Sequence, residues 1–376
     1  MHQNGNIRFL FVNLKNLNSG REPVSRRIGK ILQLCFLLAA VLLSDCTTMM
    51  AQESIEAITV RDITPKKGIL ESLKGELSVA PYYSAEMGAG SALIYTCPNN
   101  LSFIGNVTTK GYLLTGIAGS TPLAGGRSTL EYSTAYSHLP SWFWGTGFGN
   151  GSNNGNKREY DRDRFYAKAK MLYSLGKGFY AGGIAGYEWN SCTSSPISNA
   201  LLYGATLAYD TRDNRHRPAE GIYAAVTQEN WADFCGKPFF KSSMQIKGYR
   251  KLWETAVVAA EVFGEFTYGN TPWYMMPTVG GIERLRGYYK GRYTDRNLIG
   301  GQMEVRQQIV GNLSGTVWVA GANLWSREHK FALRNSLPNA GAGVRWKTGA
   351  NTVIRLDYGV GRGGQNAFIL AINEAF

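Results

Sequence analysis

The sequence predicts an all-β protein: a closed, antiparallel transmembrane β-barrel of sixteen strands. Three observations carry that prediction. An export-type leader precedes a chain in which no later apolar run is long enough to span a bilayer as a helix. From residue 76 onward, short segments alternate apolar and polar side chains with a period of two. The connections between them alternate long and short, as in a barrel whose two rims face different compartments. A chain that enters lipid without a spanning helix has to close its sheet, because only helices and closed barrels satisfy every backbone donor and acceptor there.

Composition agrees. The 376 residues include 45 Gly, 21 Tyr and 9 Trp, with 18% charged and a formal net charge of +13. A charged fraction below the usual ~25% excludes a highly charged disordered chain, and only 12 Pro excludes a proline-rich tract.

The elements follow in order. Residues 31–44, ILQLCFLLAAVLLS, form an uncharged run behind Arg26, Arg27 and Lys30. That is too short for a spanning helix but fits a secretory signal over 1–51, cleaved after Ala51. Asp45 just before Cys46 suits lipoprotein processing poorly. Residues 52–75 are expected to be a short periplasmic or lumenal lead-in, too small for a core of its own, and 76–376 the barrel.

The expected strands are 76–83, 88–96, 101–109, 112–120, 127–137, 163–175, 178–190, 198–211, 221–231, 238–251, 254–267, 297–310, 313–325, 340–349, 352–361 and 365–376. In 254–267, Val258, Ala260, Val262 and Phe266 share a face opposite Glu261 and Glu265. In 352–360, Ile354, Leu356, Tyr358 and Val360 oppose Arg355 and Asp357. An apolar outside and a polar lumen explain both. Trp189, Trp231, Trp253 and Trp325 lie near strand ends and are expected to form interfacial girdles. With the N-terminus on the periplasmic side, the long segments 138–162, 268–296 and 326–339 all face outward. The tight turns at 176–177, 253, 311–312 and 350–351 face inward, and 212–220 is the exception.

Three segments carry a resemblance. Residues 280–306, GGIERLRGYYKGRYTDRNLIGGQMEVR, hold Leu285-Arg286-Gly287-Tyr288 on a long outer loop, then Gly300, Gly301, Glu304 and Arg306 on the next strand. Residues 209–221 hold Asp210, Arg212, Asp213, Asn214, Pro218 and Gly221 in the long inward turn. Residues 140–147, PSWFWGTG, form the third. The combination resembles the BamA/TamA (bacterial surface antigen) family of outer-membrane barrels, over essentially 76–376. The resemblance implies a loop folded back into the lumen, with Arg286 paired to Glu304 on the inner wall. It also implies residence in the outer membrane of a Gram-negative bacterium, and Phe376 as a C-terminal signal read by the assembly machinery. The chain departs from the family in three respects. No acid falls within 319–322, leaving Asp357 as the substitute second contact for Arg286. Glu374 interrupts the terminal face of Phe368, Leu370 and Ile372. No client-binding POTRA module is expected before the first strand, the lead-in being too short for one.

The implied role is assembly or translocation of proteins through a barrel that opens between its first and last strands, working with partner subunits. The alternative is a plugged or anion-favouring pore, or a structural binding barrel, its lumen lined by Lys168, Lys170, Lys241, Lys247, Arg306, Arg345 and Arg355 against Glu261, Glu265, Glu304 and Asp357. Partners are outer-membrane lipid, the machinery that inserts this chain, and other envelope proteins; nucleic acid is not expected. Catalysis is not expected either: there is no Gly-x-Ser-x-Gly elbow, and His138, His216 and His329 fall in separate connections. No cofactor and no metal site are expected, since Cys/His spacing suits neither. Cys192 and Cys235 sit in successive outer loops, and a disulfide between them is the one bridge expected.

Overall fold

The computed structural model describes residues 75–376 apart from 99, 194, 216 and 349–352; the expected leader and the lead-in before Gly75 lie outside them, as does His216. Eighteen strands run in chain order: β1 (Glu76–Ser84), β2 (Gly88–Thr96), β3 (Leu101–Thr108), β4 (Leu113–Leu123), β5 (Ser128–Phe143), β6 (Arg158–Gly176), β7 (Phe179–Cys192), β8 (Ser195–Asp210) and β9 (Gly221–Asp233), followed by β10 (Phe239–Trp253), β11 (Ala256–Gly269), β12 (Thr278–Val279), β13 (Tyr293–Thr294), β14 (Asn297–Val310), β15 (Leu313–Trp325), β16 (Leu337–Lys347), β17 (Val353–Gly361) and β18 (Asn366–Ile372). Sixteen of them close into one antiparallel barrel in which each pairs with its chain neighbour; β12 and β13 form a separate hairpin inside the β11–β14 connection. All sixteen expected strands are present.

Burial follows the period of two. Along β17, Leu356, Tyr358 and Val360 are exposed outside while Arg355 and Asp357 are fully buried inside. On β11, Val262 is exposed and Glu261 buried. The apolar outer surface meets lipid, so its exposure is the condition for membrane residence rather than a defect.

The wall is uneven. β5, β6 and β8 run 16, 19 and 16 residues, whereas β3 and β18 run only 8 and 7. The tall strands raise one side of the outer rim and give the long loop something to lean on.

Three expectations need correction. Trp231 is no girdle residue: it points inward and stacks on Phe239 at 5.4 Å, in a cluster with Cys192, Tyr274 and Met275. Cys192 and Cys235 are both free, the first buried in that cluster and the second exposed, so the structure contains no bridge between them; packing holds the Cys192 thiol inward. The last strand stops at Ile372 instead of continuing to Phe376. Asn373 takes a left-handed conformation (φ 67°), and the residues after it leave the sheet for the lumen. The cause is visible in the pattern. A continued strand would present Glu374 to lipid near the rim, where a carboxylate is disfavoured by up to about 1 kcal/mol and gains no partner. Turned inward, its carboxylate meets Arg345 Nε at 3.1 Å and Arg306 Nε at 3.6 Å.

Candidate functional site

The connection from β11 to β14 enters the lumen and is held at two levels. Near the outer rim, Trp273 stacks on Phe143 at 3.9 Å and packs edge-on against Tyr160. Arg162 Nη1 donates to the Tyr274 carbonyl at 2.9 Å, and its guanidinium lies 4.9 Å from the Tyr274 ring. Arg162 is itself set by the buried Glu188, which receives a two-pronged pair of hydrogen bonds from Arg164 at 2.9 Å each. Residue 146 bridges to Thr294, and Phe148 stacks on Tyr293, so the β5–β6 connection caps the same loop.

Deeper in, the chain makes a tight turn at Leu285-Arg286-Gly287-Tyr288. Leu285 is left-handed (φ 47°) and Gly287 has φ 124°. A Cβ on Gly287 would come within 2.6 Å of the Gly359 backbone, and one on Gly359 would overlap the Arg286 carbonyl group. Paired glycines let loop backbone lie directly on β17. The turn is also pinned by hydrogen bonds. Asn339 Nδ2 donates to the Arg286 carbonyl at 2.6 Å, Tyr288 Oη donates to the Pro338 carbonyl at 2.6 Å, and the Arg362 amide donates to Tyr288 Oη at 2.7 Å.

This places the Arg286 side chain, fully buried, between two walls. Nη2 donates to Glu304 Oε2 on β14 at 2.5 Å, and Nη1 donates to Asp357 Oδ2 on β17 at 2.9 Å. The guanidinium lies 3.7 Å from the centre of the Trp318 ring on β15, whose Nε1 is held by Asn339 Oδ1. The carboxylates are shared. Arg306 Nε donates to Glu304 Oε1 at 2.8 Å, Arg355 Nη1 to Asp357 Oδ2 at 2.7 Å, and Arg345 Nη1 to Asp357 Oδ1 at 2.5 Å. Four guanidiniums and three carboxylates, counting Glu374, thus form one buried ring. Ions taken from water cost several kcal/mol each, and only such multiple charge-assisted hydrogen bonds offset that. The arrangement fixes where the loop sits and in which orientation. Its chemistry is that of a clamp.

The profile of the Omp85 superfamily domain matches residues 126–376. The chain belongs to the Omp85 superfamily. It is an Omp85-type outer-membrane barrel, and its fold is similar to solved members. The structure of BamA from Haemophilus ducreyi lacking POTRA domains 1–3 matches with TM-score 0.59 at 12% identity, covering 79% of this chain and 70% of that one. CdiB from Acinetobacter baumannii matches with TM-score 0.56 at 13% identity, covering 80% and 59%, and CdiB from Escherichia coli with 0.55 at 12%, covering 79% and 62%. The chain thus spans less than two thirds of either CdiB. No sequence among curated proteins matches it.

In this Omp85 barrel the residues expected from sequence divide clearly. Leu285, Arg286, Gly287, Tyr288, Glu304 and Arg306 come together as expected, and Asp357 is the second contact of Arg286. Gly300 faces the lumen beneath the Phe263 ring, where a Cβ would approach to 2.5 Å; Gly301 faces outward. The inward turn is a separate unit. Arg212 closes a two-pronged pair on Asp210 at 2.9 Å, Asp213 Oδ1 accepts from the amides of Asn214, Ala219 and Glu220, and Asn214 Oδ1 accepts from the Arg217 amide. Pro218 is buried, and Gly221 sits at φ 104°. Burial works against the Asp213 carboxylate, but those three amides hold it below the usual range. Phe376 lies in the lumen against Tyr249 and Ala259, its carbonyl oxygen accepting from Arg306 Nη2 at 2.8 Å.

The cations assigned to a positive lumen are largely engaged. Lys168 lies 3.9 Å from Glu188, Lys170 3.7 Å from Glu131 and Lys247 4.0 Å from Glu261, and Arg284 from the loop also binds Glu261 at 2.7 Å. Lys241 stands 5.9 Å from the Trp231 ring. Sequence reasoning missed Arg162, Arg164 and Glu188 as the second grip on the loop, and missed Trp318 and Asn339. The inward parity of Glu188, diagonal to Arg164 and Lys168 of β6, was the available signal.

Proposed function

We propose that this barrel inserts or translocates proteins at the outer membrane of a Gram-negative bacterium, together with partner subunits from the envelope, and that it is not an enzyme. The observation that carries the reading is the seam. β1 meets β18 at a single registered pair, Tyr83↔Leu370, whereas β18 pairs β17 all along Ile354–Val360 and β1 pairs β2 over its whole length. A boundary with so few ladder bonds is where a closed sheet opens at least cost, and an opened edge offers unpaired N–H and C=O groups to an incoming strand. The lumen beside it is filled by the clamped loop, and most of its cations are paired. That favours a gated wall over an anion-selective pore.

The test is a lock. Cysteines at Tyr83 and Leu370 are oxidised in cells, and photocrosslinkers are placed on β1 and β18. Polypeptide adducts that vanish on oxidation support the reading. Adducts absent in both states, or a steady open conductance of the purified barrel in planar bilayers, would replace it with the pore.

A further inference from the structure

A second outer connection, residues 326–336 between β15 and β16, lies along the rim: His329 reaches the inner loop, while its 332–336 end folds over the outer face of β15. Asn323 shows this. Its neighbours Ala322 and Leu324 face the lumen clusters, so by alternation Asn323 faces out, yet it is only 4% exposed. The connection covers it: Asn323 Nδ2 donates to the Ala332 carbonyl at 2.8 Å and to Ser336 Oγ at 3.1 Å. Two more ties fix the backbone. His329 Nδ1 lies 3.0 Å from Asp295 Oδ2, and Arg362 Nη1 donates to the carbonyls of Arg334 and Ser336 at 2.6 and 3.1 Å.

What this fixed backbone presents is unusual for a loop. Phe331 is 50% and Leu333 79% exposed. Phe331 meets Trp325 edge-on at 5.4 Å, and Trp325 meets Phe266 of β11 at 6.1 Å, so the apolar pair continues the lipid-facing aromatic surface of the rim. Interleaved with it are Arg327, Lys330 and Arg334, all exposed, none with an ion-pair partner among the described residues. Glu328 is the one acid in the segment, and it too is exposed.

We infer that this rim binds a phosphorylated lipid of the surrounding leaflet, its acyl region against Phe331, Leu333 and Trp325 and its phosphate among Arg327, Lys330 and Arg334. The pattern fits the boundary between headgroup and acyl chains, where apolar side chains sink and long cations reach up to phosphate. Continuity with the barrel's lipid surface, together with unpaired positive charge, selects an anionic lipid over a soluble protein partner. The inference does not depend on the proposed function.

The test uses the full barrel in detergent micelles doped with phosphatidylglycerol or phosphatidylcholine, with retained lipid counted by native mass spectrometry. Wild type is expected to keep phosphatidylglycerol preferentially, and R327Q/K330Q/R334Q to lose that preference, by roughly fivefold per cation at low salt. F331S/L333S is expected to lower retention of both lipids. Inorganic phosphate at matched ionic strength is expected to compete weakly. Equal retention of the two lipids by wild type, an unchanged preference in the triple variant, or full displacement by inorganic phosphate would each overturn the assignment. Should a variant fail to fold, the preference of wild type must still fall as salt rises, and a salt-independent preference overturns it equally.

Discussion

The two sides of the lumen are built from different materials. Between their ends, β1–β4 turn neutral residues inward: Ala80, Tyr82, Ala92, Ile94, Ser102, Ile104, Asn106 and Leu114. Several belong to an apolar cluster with Tyr112, Ala118, Ala135 and Tyr166, and the polar contact among them is Tyr82 Oη donating to Asn106 at 2.9 Å. Across the seam, β14–β17 turn Glu304, Arg306, Arg345, Arg355 and Asp357 inward. The family profile starts at residue 126, after the neutral strands, and contains all of the charged ones. The contrast separates two jobs. Apolar contact is non-directional and fills space, whereas forked guanidinium–carboxylate bonds hold one orientation. The wall that grips the loop is the one that needs orientation.

That contrast can be broken in order of expected effect. Glu304→Ala leaves Arg286, Arg306 and Arg345 facing a lost carboxylate, and should cost about 3–5 kcal/mol, read as a lower temperature for the folded-to-unfolded shift in semi-native gels. A change near zero would mean the ring is incidental. Gly359→Ala puts a methyl into the Arg286 backbone and should cost about 1–3 kcal/mol by overpacking. It should also expose the loop to protease in intact cells, which Glu304→Gln distinguishes by keeping the glycine contact. On the neutral wall, Tyr82→Phe removes one hydrogen bond and should cost only about 1 kcal/mol, with loop protection unchanged. Loop exposure in that variant would show that the neutral wall orients too.

The smallest shift belongs to neither wall. The depressed Asp213 carboxyl contributes stability that is present above the ordinary aspartate value, about 3.9, and lost as pH falls through its folded value. Asp213→Asn should therefore lower stability at pH 7, where the carboxylate contributes, and flatten the further loss below about pH 4, where the wild-type group is protonated. An undiminished acid transition in Asp213→Asn would remove that role.

Much of this was legible in the sequence. The period of two placed all sixteen strands of the barrel and told inside from outside along them, so Glu261, Arg345, Arg355 and Asp357 were assigned to the lumen correctly. The motif around Arg286 identified the clamp and its first acid. Alternation states a side, however, not a height or an angle around the cylinder. Glu188 is 24 residues from Arg164, but the two meet because β6 and β7 are paired in one particular register. Trp231 sat near a strand end and was assigned to the rim, although its parity with Phe239 turned it inward. Glu374 was taken as a flaw in a terminal strand, when a carboxylate on a lipid-facing position already argued that the strand stops before it.

The reach of Arg286 also ties the loop to two strands far apart in the chain. One of its carboxylates lies 18 residues downstream and the other 71. The second of these strands, β17, supplies both half of the guanidinium's seat and the glycine surface beneath the turn. The clamp on the loop is therefore complete only where the closing hairpin stands beside it, so the seat of Arg286 and the end of the wall share the same residues.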